Sequence, residues 1–168
     1  MNPTFTYYPD KGFSLANIPV NWGDSRQNVR HLLGEIYEIH DSDIDMSEYH
    51  DGNPDFNLFQ GRDVYTNYGA HDNFFFLNYD VQGYLIEVEI HHGLDILVNN
   101  VKLIFGTDFL DSVKALKAIS DDNKKTGDGE YFFNDLKLII ADWESRGGDE
   151  NFLAYFYCAK DVTHLSNE

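Results

Sequence analysis

Cysteine is almost absent from this chain of 168 residues, in which Cys158 stands alone. A single cysteine excludes an intramolecular disulfide, so the fold depends on an apolar core, which a chain of this length is large enough to form. Cys158 lies in the segment NFLAYFYCA, which predicts a buried strand. A thiol nucleophile needs an electropositive, partly exposed setting, and this segment offers none. We therefore expect Cys158 to be a small core residue.

Long hydrophobic runs are also absent. No stretch approaches the roughly 18 apolar residues that a membrane-spanning helix needs. No basic start followed by an apolar segment occurs at the N-terminus, which begins MNPTFTYYPDKGF. This pattern predicts no secretory signal. We expect a cytoplasmic protein without a membrane partner.

Positive charge is scarce, because 12 Lys and Arg face 29 Asp and Glu, for a formal net charge of -17. Such a charge repels phosphate backbones and anionic lipid surfaces, so we expect no nucleic-acid partner. Solubility alone is a sufficient reason for an acidic surface. The functional interpretation is that the surface steers association with a basic protein, such as a nuclease or another cationic toxin.

Metal-binding signatures are incomplete. Alternating carboxylates suit a hard cation such as calcium, and the chain has one such series, Asp41, Asp43, Asp45 and Glu48. An EF-hand loop starting at Asp41 needs Gly at position 46 and Glu at position 52, where the chain has Met46 and Gly52. The pattern therefore favours a solvated acidic loop, and a metal-binding enzyme or sensor that uses residues 41–51 is the alternative.

Catalytic signatures are absent too. The histidines have no HxH, HxxxH or HExxH spacing on a helix, and His91 and His92 are neighbours on a predicted strand, hence on opposite faces. A row of His91, Glu89 and Glu87 on the exposed sheet face suggests a metal site completed by a residue from the acidic loop, and the alternative is an exposed polar face or a partner-binding surface. No nucleophile elbow, phosphate-binding loop or dinucleotide fingerprint occurs. We predict that the protein is not an enzyme and uses no cofactor.

What the chain does contain is an internal similarity. Residues 18–33 (IPVNWGDSRQNVRHLL) and 101–116 (VKLIFGTDFLDSVKAL) share a short apolar strand, an aromatic, a Gly, a polar cap and an amphipathic helix. With a one-residue insertion after the Gly, Val29 aligns with Val113. Aromatic hairpin candidates follow at residues 74–90 and 136–157. We predict one domain over residues 1–168, with a first repeat at 13–93 and a second at 94–160.

The predicted fold class is α+β, with two helix-plus-antiparallel-hairpin repeats that form one antiparallel sheet and helices on one face. Pro19 places the opening strand, from Phe13 to Val20, at a sheet edge. Helices are capped at Asp24 or Ser25 and at Thr107 or Asp108, and Gly34 ends the first. Arg26 and Arg30 fall on its solvent side.

The first half continues with a long acidic loop, from His40 to Gln60, and then three strands. The strands are predicted at Arg62 to Tyr68, Asn73 to Tyr79 and Tyr84 to His92. In the last of these, Ile86, Val88 and Ile90 face the core, while Leu85, Glu87, Glu89 and His91 face solvent.

This order of a Gly-polar cap, a helix and antiparallel strands, repeated twice, resembles the beta-lactamase inhibitor protein family and related small lipoprotein repeats. The resemblance runs from Phe13 to about Ala159. The second copy departs from the pattern, with Ile119 and Ser120 where the terminal Gly of the first helix predicts a glycine. The resemblance implies a curved sheet whose outer face binds another protein, and several bacterial toxin-immunity proteins look like acidic domains of similar size.

Aromatic residues supply the candidate contact surface. The chain has 11 Tyr, 13 Phe and two Trp, and Tyr and Trp are favoured in interface hot spots. We expect about half of the sheet aromatics to lie in the core. The predicted partner-binding residues are Tyr65, Phe75, Tyr79, Tyr84, Glu87, Glu89, His91, Trp143, Glu144 and Arg146.

The predicted function is a non-enzymatic acidic protein-binding module, an inhibitor or immunity protein that masks a basic partner. Two alternatives stay open: the metal-binding enzyme or sensor, and a structural protein that self-associates through a sheet edge. The halves differ in two insertions, the acidic loop in the first and the hairpin WESRGGDE in the second. We expect the functional site in these insertions and on the sheet between them.

Overall fold

A computed structural model describes residues 1–34, 37–53, 57–148 and 150–166. Within these ranges the chain is α+β, as predicted, and strands form most of its regular structure. The elements of the first half are β1 (Thr4–Tyr8), β2 (Gly12–Leu15), β3 (Ile18–Asn21), α1 (Arg26–Leu33), β4 (Tyr37–Ile39), β5 (Ser42–Ile44), β6 (Leu58–Thr66), β7 (Phe74–Tyr79) and β8 (Leu85–His92).

The second half follows without a linker. Its elements are β9 (Asp95–Val98), β10 (Val101–Leu103), α2 (Phe109–Lys117), β11 (Asn123–Gly127), β12 (Glu130–Phe133), β13 (Leu138–Asp142), β14 (Leu153–Ala159) and α3 (Thr163–Ser166). Short 3-10 turns occur at Ser47–Tyr49, Tyr68–Ala70 and Glu144–Arg146.

The strands form two sheets, so the prediction of one sheet was wrong. The large sheet has nine strands in the order β11-β12-β13-β14-β8-β7-β6-β4, with β5 paired to β6 as well. All of its pairs are antiparallel. The small sheet has the order β10-β9-β1-β2-β3, in which only β1 and β9 are parallel. Pro19 lies on β3 at its edge, as predicted.

The small sheet was not predicted because its strands are short and two of its three hairpin turns contain no glycine. The segment expected as one strand, Phe13 to Val20, is the hairpin of β2 and β3, which reverses at Ala16 and Asn17 with φ of 48° and 68°. Alanine rarely adopts a positive φ, so Asn17 is the one residue there that favours a turn. The apolar run from Ile96 is likewise the hairpin of β9 and β10, with Asn99 in the left-handed region.

The core lies between the inner face of the large sheet and a layer formed by the small sheet with α1 and α2. Val88 and Ile90 of β8 are fully buried there, as predicted. Leu85 was predicted on the solvent side and is also fully buried, because the register shift of β8 against the end of β7 reverses the alternation there. Cys158 on β14 is also buried, and burial raises the pKa of its thiol, which confirms its prediction as a core residue. A smaller apolar cluster lies on the outer face, where Val162 and Leu165 at the C-terminal end cover part of the sheet.

Helices α1 and α2 begin at the predicted caps. The Ser25 hydroxyl accepts a hydrogen bond from the Asn28 N–H at 3.2 Å, and Asp108 accepts from the Asp111 N–H at 3.0 Å. Gly34 ends α1 in the left-handed conformation, with φ of 62°. These caps satisfy N–H groups that have no partner within the helix.

The same main-chain contacts join each helix start to the last strand of its half. The Gly23 N–H donates to the Leu85 carbonyl, and the Gly106 N–H donates to the Leu153 carbonyl, both at 3.0 Å. In each half the cap stands two residues after the Gly, so the predicted one-residue insertion is not needed. Arg26 and Arg30 of α1 therefore occupy the helix positions that Phe109 and Val113 occupy in α2.

The strand registers of the two halves correspond as well. Asp63 on β6 pairs with Leu77, which pairs with Val88. Tyr131 on β12 pairs with Ile140, which pairs with Phe156. Asp63 and Tyr131 thus hold equivalent places beneath their helices. A register shift follows at the end of β7 and at the end of β13.

Candidate binding surface

Three of the predicted contact residues are not on a surface. Tyr65, Phe75 and Tyr79 are buried on the inner face of the large sheet, so their prediction as partner-binding residues was wrong. The Tyr65 and Phe75 rings stack at 5.0 Å between centroids. Alternation along β6 and β7 indicates two faces, but it does not reveal which face the small sheet and the helices cover.

Four predicted residues do share the outer face of the large sheet. Glu87, Glu89 and His91 lie half-buried along β8, and Arg146 reaches the same face from the hairpin loop. The Arg146 guanidinium lies 4.3 Å from the centroid of Tyr155, whose ring also contacts His91 at 5.4 Å. Burial lowers the pKa of His91, so its imidazole is neutral at neutral pH.

Two tyrosines on this face were not among the predicted residues. Tyr155 and Tyr157 point outward from β14 and donate to Glu89 at 2.9 Å and to Glu87 at 2.8 Å. They are only 9% and 8% exposed. The signal was present, because Tyr at alternate positions of a buried strand needs a hydrogen-bond partner for each hydroxyl.

The remaining predicted residues are exposed and belong to separate loops. Tyr84 forms a bridge with Ser25 at the start of α1. Trp143 stacks on Phe152 at 6.0 Å, beside Glu144 in the second-half hairpin loop. They do not form one continuous site with the inner-face aromatics.

A different surface stands out by its exposed apolar side chains. We define the acidic arm as residues 37–53 and 57–60, which comprise β4, β5, a 3-10 turn and the start of β6. Its exposed large apolar residues are Ile39 (59%), Ile44 (44%), Tyr49 (77%), Leu58 (54%) and Phe59 (39%). The sequence predicted a plain loop here, because the short alternation in Ser42–Ile44 is too brief to indicate a strand.

Carboxylates surround these apolar residues. The arm carries Glu38, Asp41, Asp43, Asp45, Glu48 and Asp51. No Lys or Arg occurs in the sequence between Arg30 and Arg62. The arm therefore projects a negative field with no cation of its own to reduce it.

Arg26 fixes the base of the arm to α1. Its guanidinium donates to Asp63 Oδ1 at 2.6 Å and to both oxygens of Asp41, at 2.7 and 3.1 Å. Asp63 is completely buried and also accepts two hydrogen bonds from the Arg30 guanidinium, at 2.7 and 2.8 Å. The Arg30 guanidinium lies 4.3 Å from the ring centroid of Tyr37 on β4. Sequence periodicity predicted both arginines on the solvent side, and that was wrong, because Asp63 supplies a buried partner.

The same contacts decide the state of Asp41. The hydrogen bond from Arg26 lowers the pKa of this carboxyl below its usual value. Asp45 is also engaged, since it accepts a hydrogen bond from the Ser47 N–H at 2.9 Å. Within the described ranges, no group of three or more His, Cys, Asp or Glu side chains is placed to hold a metal ion. The metal-binding alternative stays a prediction without a geometric site in those ranges.

Comparisons with known proteins add no relative. Protein-family models, curated proteins and solved structures contain no match to this chain. The resemblance to the beta-lactamase inhibitor protein family therefore stays a prediction. In the part of the chain that the structure describes, no helix has the length and apolarity to cross a membrane.

Proposed function

We propose that this protein is a non-enzymatic binding module that masks a basic protein, in the manner of an inhibitor or an immunity protein. The observation that carries the proposal is the acidic arm, where exposed apolar side chains stand among carboxylates without a lysine or arginine. The expected partner is a cationic toxin or nuclease, and the expected compartment is the cytoplasm.

The arm combines the two properties that such an interface needs. Apolar and aromatic anchors such as Tyr49 supply affinity once a partner covers them. Surrounding carboxylates accelerate the encounter with a basic surface and reject acidic partners. Five large apolar residues are exposed within this one short segment, and exposed apolar patches mark interaction sites.

The anchor of the arm supports the same proposal. An arm that has to meet a partner in one geometry loses less conformational entropy on binding if it is already held in place. Arg26 provides this restraint by joining Asp41 of the arm to the buried Asp63. The second half has no arginine at the equivalent helix positions, where Phe109 and Val113 pack into the core.

We also infer that the two halves are copies of one ancestral unit. The equivalent cap contacts, strand registers and register shifts support this inference. The arm and the WESRGGDE hairpin are then additions to a shared scaffold. Function is expected where the copies differ.

The test is capture of partners from the source cells with the full chain as bait. Wild type is compared with Tyr49→Ala and Leu58→Ser in the arm, and with Leu110→Ser, which alters an equally exposed apolar residue on α2. The proposal predicts a basic protein, including the product of a neighbouring toxin-like gene, that wild type and Leu110→Ser retain and the arm variants lose.

A purified pair then allows a quantitative check. Neutralising Asp43, Asp45 and Glu48 by D43N, D45N and E48Q is expected to slow association and to weaken its salt dependence. Retention of every captured protein by the arm variants would contradict the proposal. A partner with an acidic surface would contradict it as well.

A further inference from the structure

A second surface, away from the arm, has a defined shape and charge. The outer face of the large sheet contains an open groove of about 310 Å³ next to α3. The residues that define its chemistry are Glu87, Glu130, Arg146, Tyr155, Tyr157 and His164. Two carboxylates thus face one guanidinium, and two tyrosine rings form the floor.

The same sheet face already binds one guanidinium. Arg62 lies 4.7 Å from the ring centroid of Phe76 and donates to Asn78 at 2.8 Å and to Glu89 at 2.9 Å. A planar cation is therefore held between an aromatic ring and a carboxylate. This is the arrangement that suits arginine, which stacks on rings and donates in a fixed fork.

Glu87, two residues from Glu89 on β8, also places a carboxylate beside an aromatic ring, that of Tyr157. Tyr157 donates to its Oε1 at 2.8 Å and Asn78 donates to its Oε2 at 3.1 Å, so the carboxylate is fixed in orientation. Each oxygen can accept a further hydrogen bond. Among the described residues, no Lys or Arg forms an ion pair with Glu87 or Glu130.

Arg146 occupies the other end of the groove. Its guanidinium lies over the Tyr155 ring, and it forms no ion pair within the described part of the chain. It is exposed and comes from the hairpin loop that only the second half has. A second cation in the groove meets this like charge, so Arg146 limits the affinity of the site.

We propose that the groove binds the guanidinium of an arginine side chain from a partner protein, between Glu87, Glu130 and the Tyr157 ring. The inference depends on the proposed function for the basic character of that partner. Charge complementarity selects the occupant, because two carboxylates and one guanidinium line the groove. The planar tyrosine floor favours guanidinium over the compact ammonium of lysine.

The test uses N-acetyl-arginine amide, whose only charge is the guanidinium, titrated into the isotope-labelled full chain and followed by NMR. Saturable shifts are expected around Glu87 and Tyr157. Glu87→Gln should weaken binding by about fivefold or more, because it removes a charge-assisted hydrogen bond. Asp72→Asn, which also removes one negative charge but at an exposed side chain outside the groove, should leave binding unchanged.

Substitution of Arg146, the cation already present in the groove, should change the affinity for arginine amide in the opposite direction. Arg146→Gln is expected to tighten binding of the arginine amide by about twofold or more, since it removes a like charge from the groove. If Glu87→Gln does not fold, Glu130→Gln supplies the same readout. The proposal is overturned if wild type and Arg146→Gln show no saturable shifts, or if N-acetyl-norleucine amide produces the same ones.

These outcomes are separate from those of the proposed function. Tyr49→Ala in the arm should leave the titration with arginine amide unchanged. A groove that binds arginine amide in a protein without a basic partner would refute the proposed function and retain the groove. Capture of a basic protein, together with no saturable shifts from arginine amide, would support the proposed function and refute the arginine site in the groove.

Discussion

Asp63 is the residue whose substitution tests the architecture most directly. Its buried carboxylate accepts four hydrogen bonds, from Arg26 at 2.6 and 3.1 Å and from Arg30 at 2.7 and 2.8 Å. Asp63→Asn preserves the size of the side chain but removes its charge and replaces one acceptor by a donor. The two guanidinium groups are then left close together with no buried counter-charge.

The expected cost follows from the burial of the network. Removing one member of a buried ion pair costs about 3–5 kcal/mol. The side chains of Arg26 and Arg30 are 16% and 24% exposed, so both can turn partly towards water. We therefore expect the lower limit, a loss of about 3 kcal/mol in the free energy of unfolding.

Urea denaturation, followed by circular dichroism, measures this loss. The control is Asp72→Asn, which makes the same charge change at a side chain that is 91% exposed. Its effect should stay within about 0.5 kcal/mol. If Asp63→Asn lies within about 1 kcal/mol of wild type, the arginines are not held by Asp63 and the reasoning is refuted.

The second half of the chain suggests a variant that should restore the stability lost in Asp63→Asn. A triple variant, R26F, R30V and D63Y, introduces the residues found at the equivalent positions of the second half. Replacing a buried ionic network by apolar groups of suitable shape is often neutral or stabilising. The triple variant should thus recover most of the stability that Asp63→Asn loses, while its arm, without Arg26, loses its anchor and binds the partner more weakly.

Three further predictions concern single positions. Because Arg26 lowers the pKa of Asp41, their contact stabilises the fold above the unfolded Asp pKa of about 3.9. This stabilisation is lost as the pH falls through the lower pKa of the folded state. Asp41→Asn should therefore be less stable than wild type at neutral pH and equally stable in acid, which melting curves across pH will test. Gly93→Ala should cost about 2 kcal/mol or more in urea denaturation, because φ is +80° and a Cβ would overlap the Asp72 carbonyl; an unchanged midpoint would contradict this. Tyr65→Phe should leave the unfolding free energy equal or higher, since its buried hydroxyl has no partner in the described ranges; a loss above about 1 kcal/mol would reveal a partner.

Local signals in the sequence were sufficient for the caps and the central strands. Ser25, Asp108 and Gly34 act through contacts within a few residues, so their spacing alone predicts them. The strand at Phe74–Tyr79 follows from its run of aromatic residues, and the outward row of Glu87 and Glu89 follows from alternation of period two. Each of these features depends on neighbours along the chain.

Features that depend on distant residues were not predicted. The small sheet needs β1 to lie parallel to β9, which is a pairing across most of the first half. Arg26 was placed in solvent because nothing near it in sequence indicates the buried Asp63. Tyr65, Phe75 and Tyr79, predicted on the contact surface, lie on the covered face of β6 and β7. Their position was not predicted for the same reason, since alternation does not say which face of a strand another layer covers.

The contrast between Asp63 and Tyr131 connects these observations. In the second half Phe109 and Val113 of α2 are buried in the core cluster against which Tyr131 packs, and this apolar contact is the simpler way to attach a helix to a sheet. The first half has two arginines and a buried carboxylate there, an arrangement with a large desolvation cost and no clear gain in stability over apolar packing. Its distinctive consequence is that one of the arginines extends to Asp41 and fixes the acidic arm. A costly network beneath a segment that exposes apolar side chains among carboxylates is what we expect of the proposed binding arm, and the triple variant separates that role from stability.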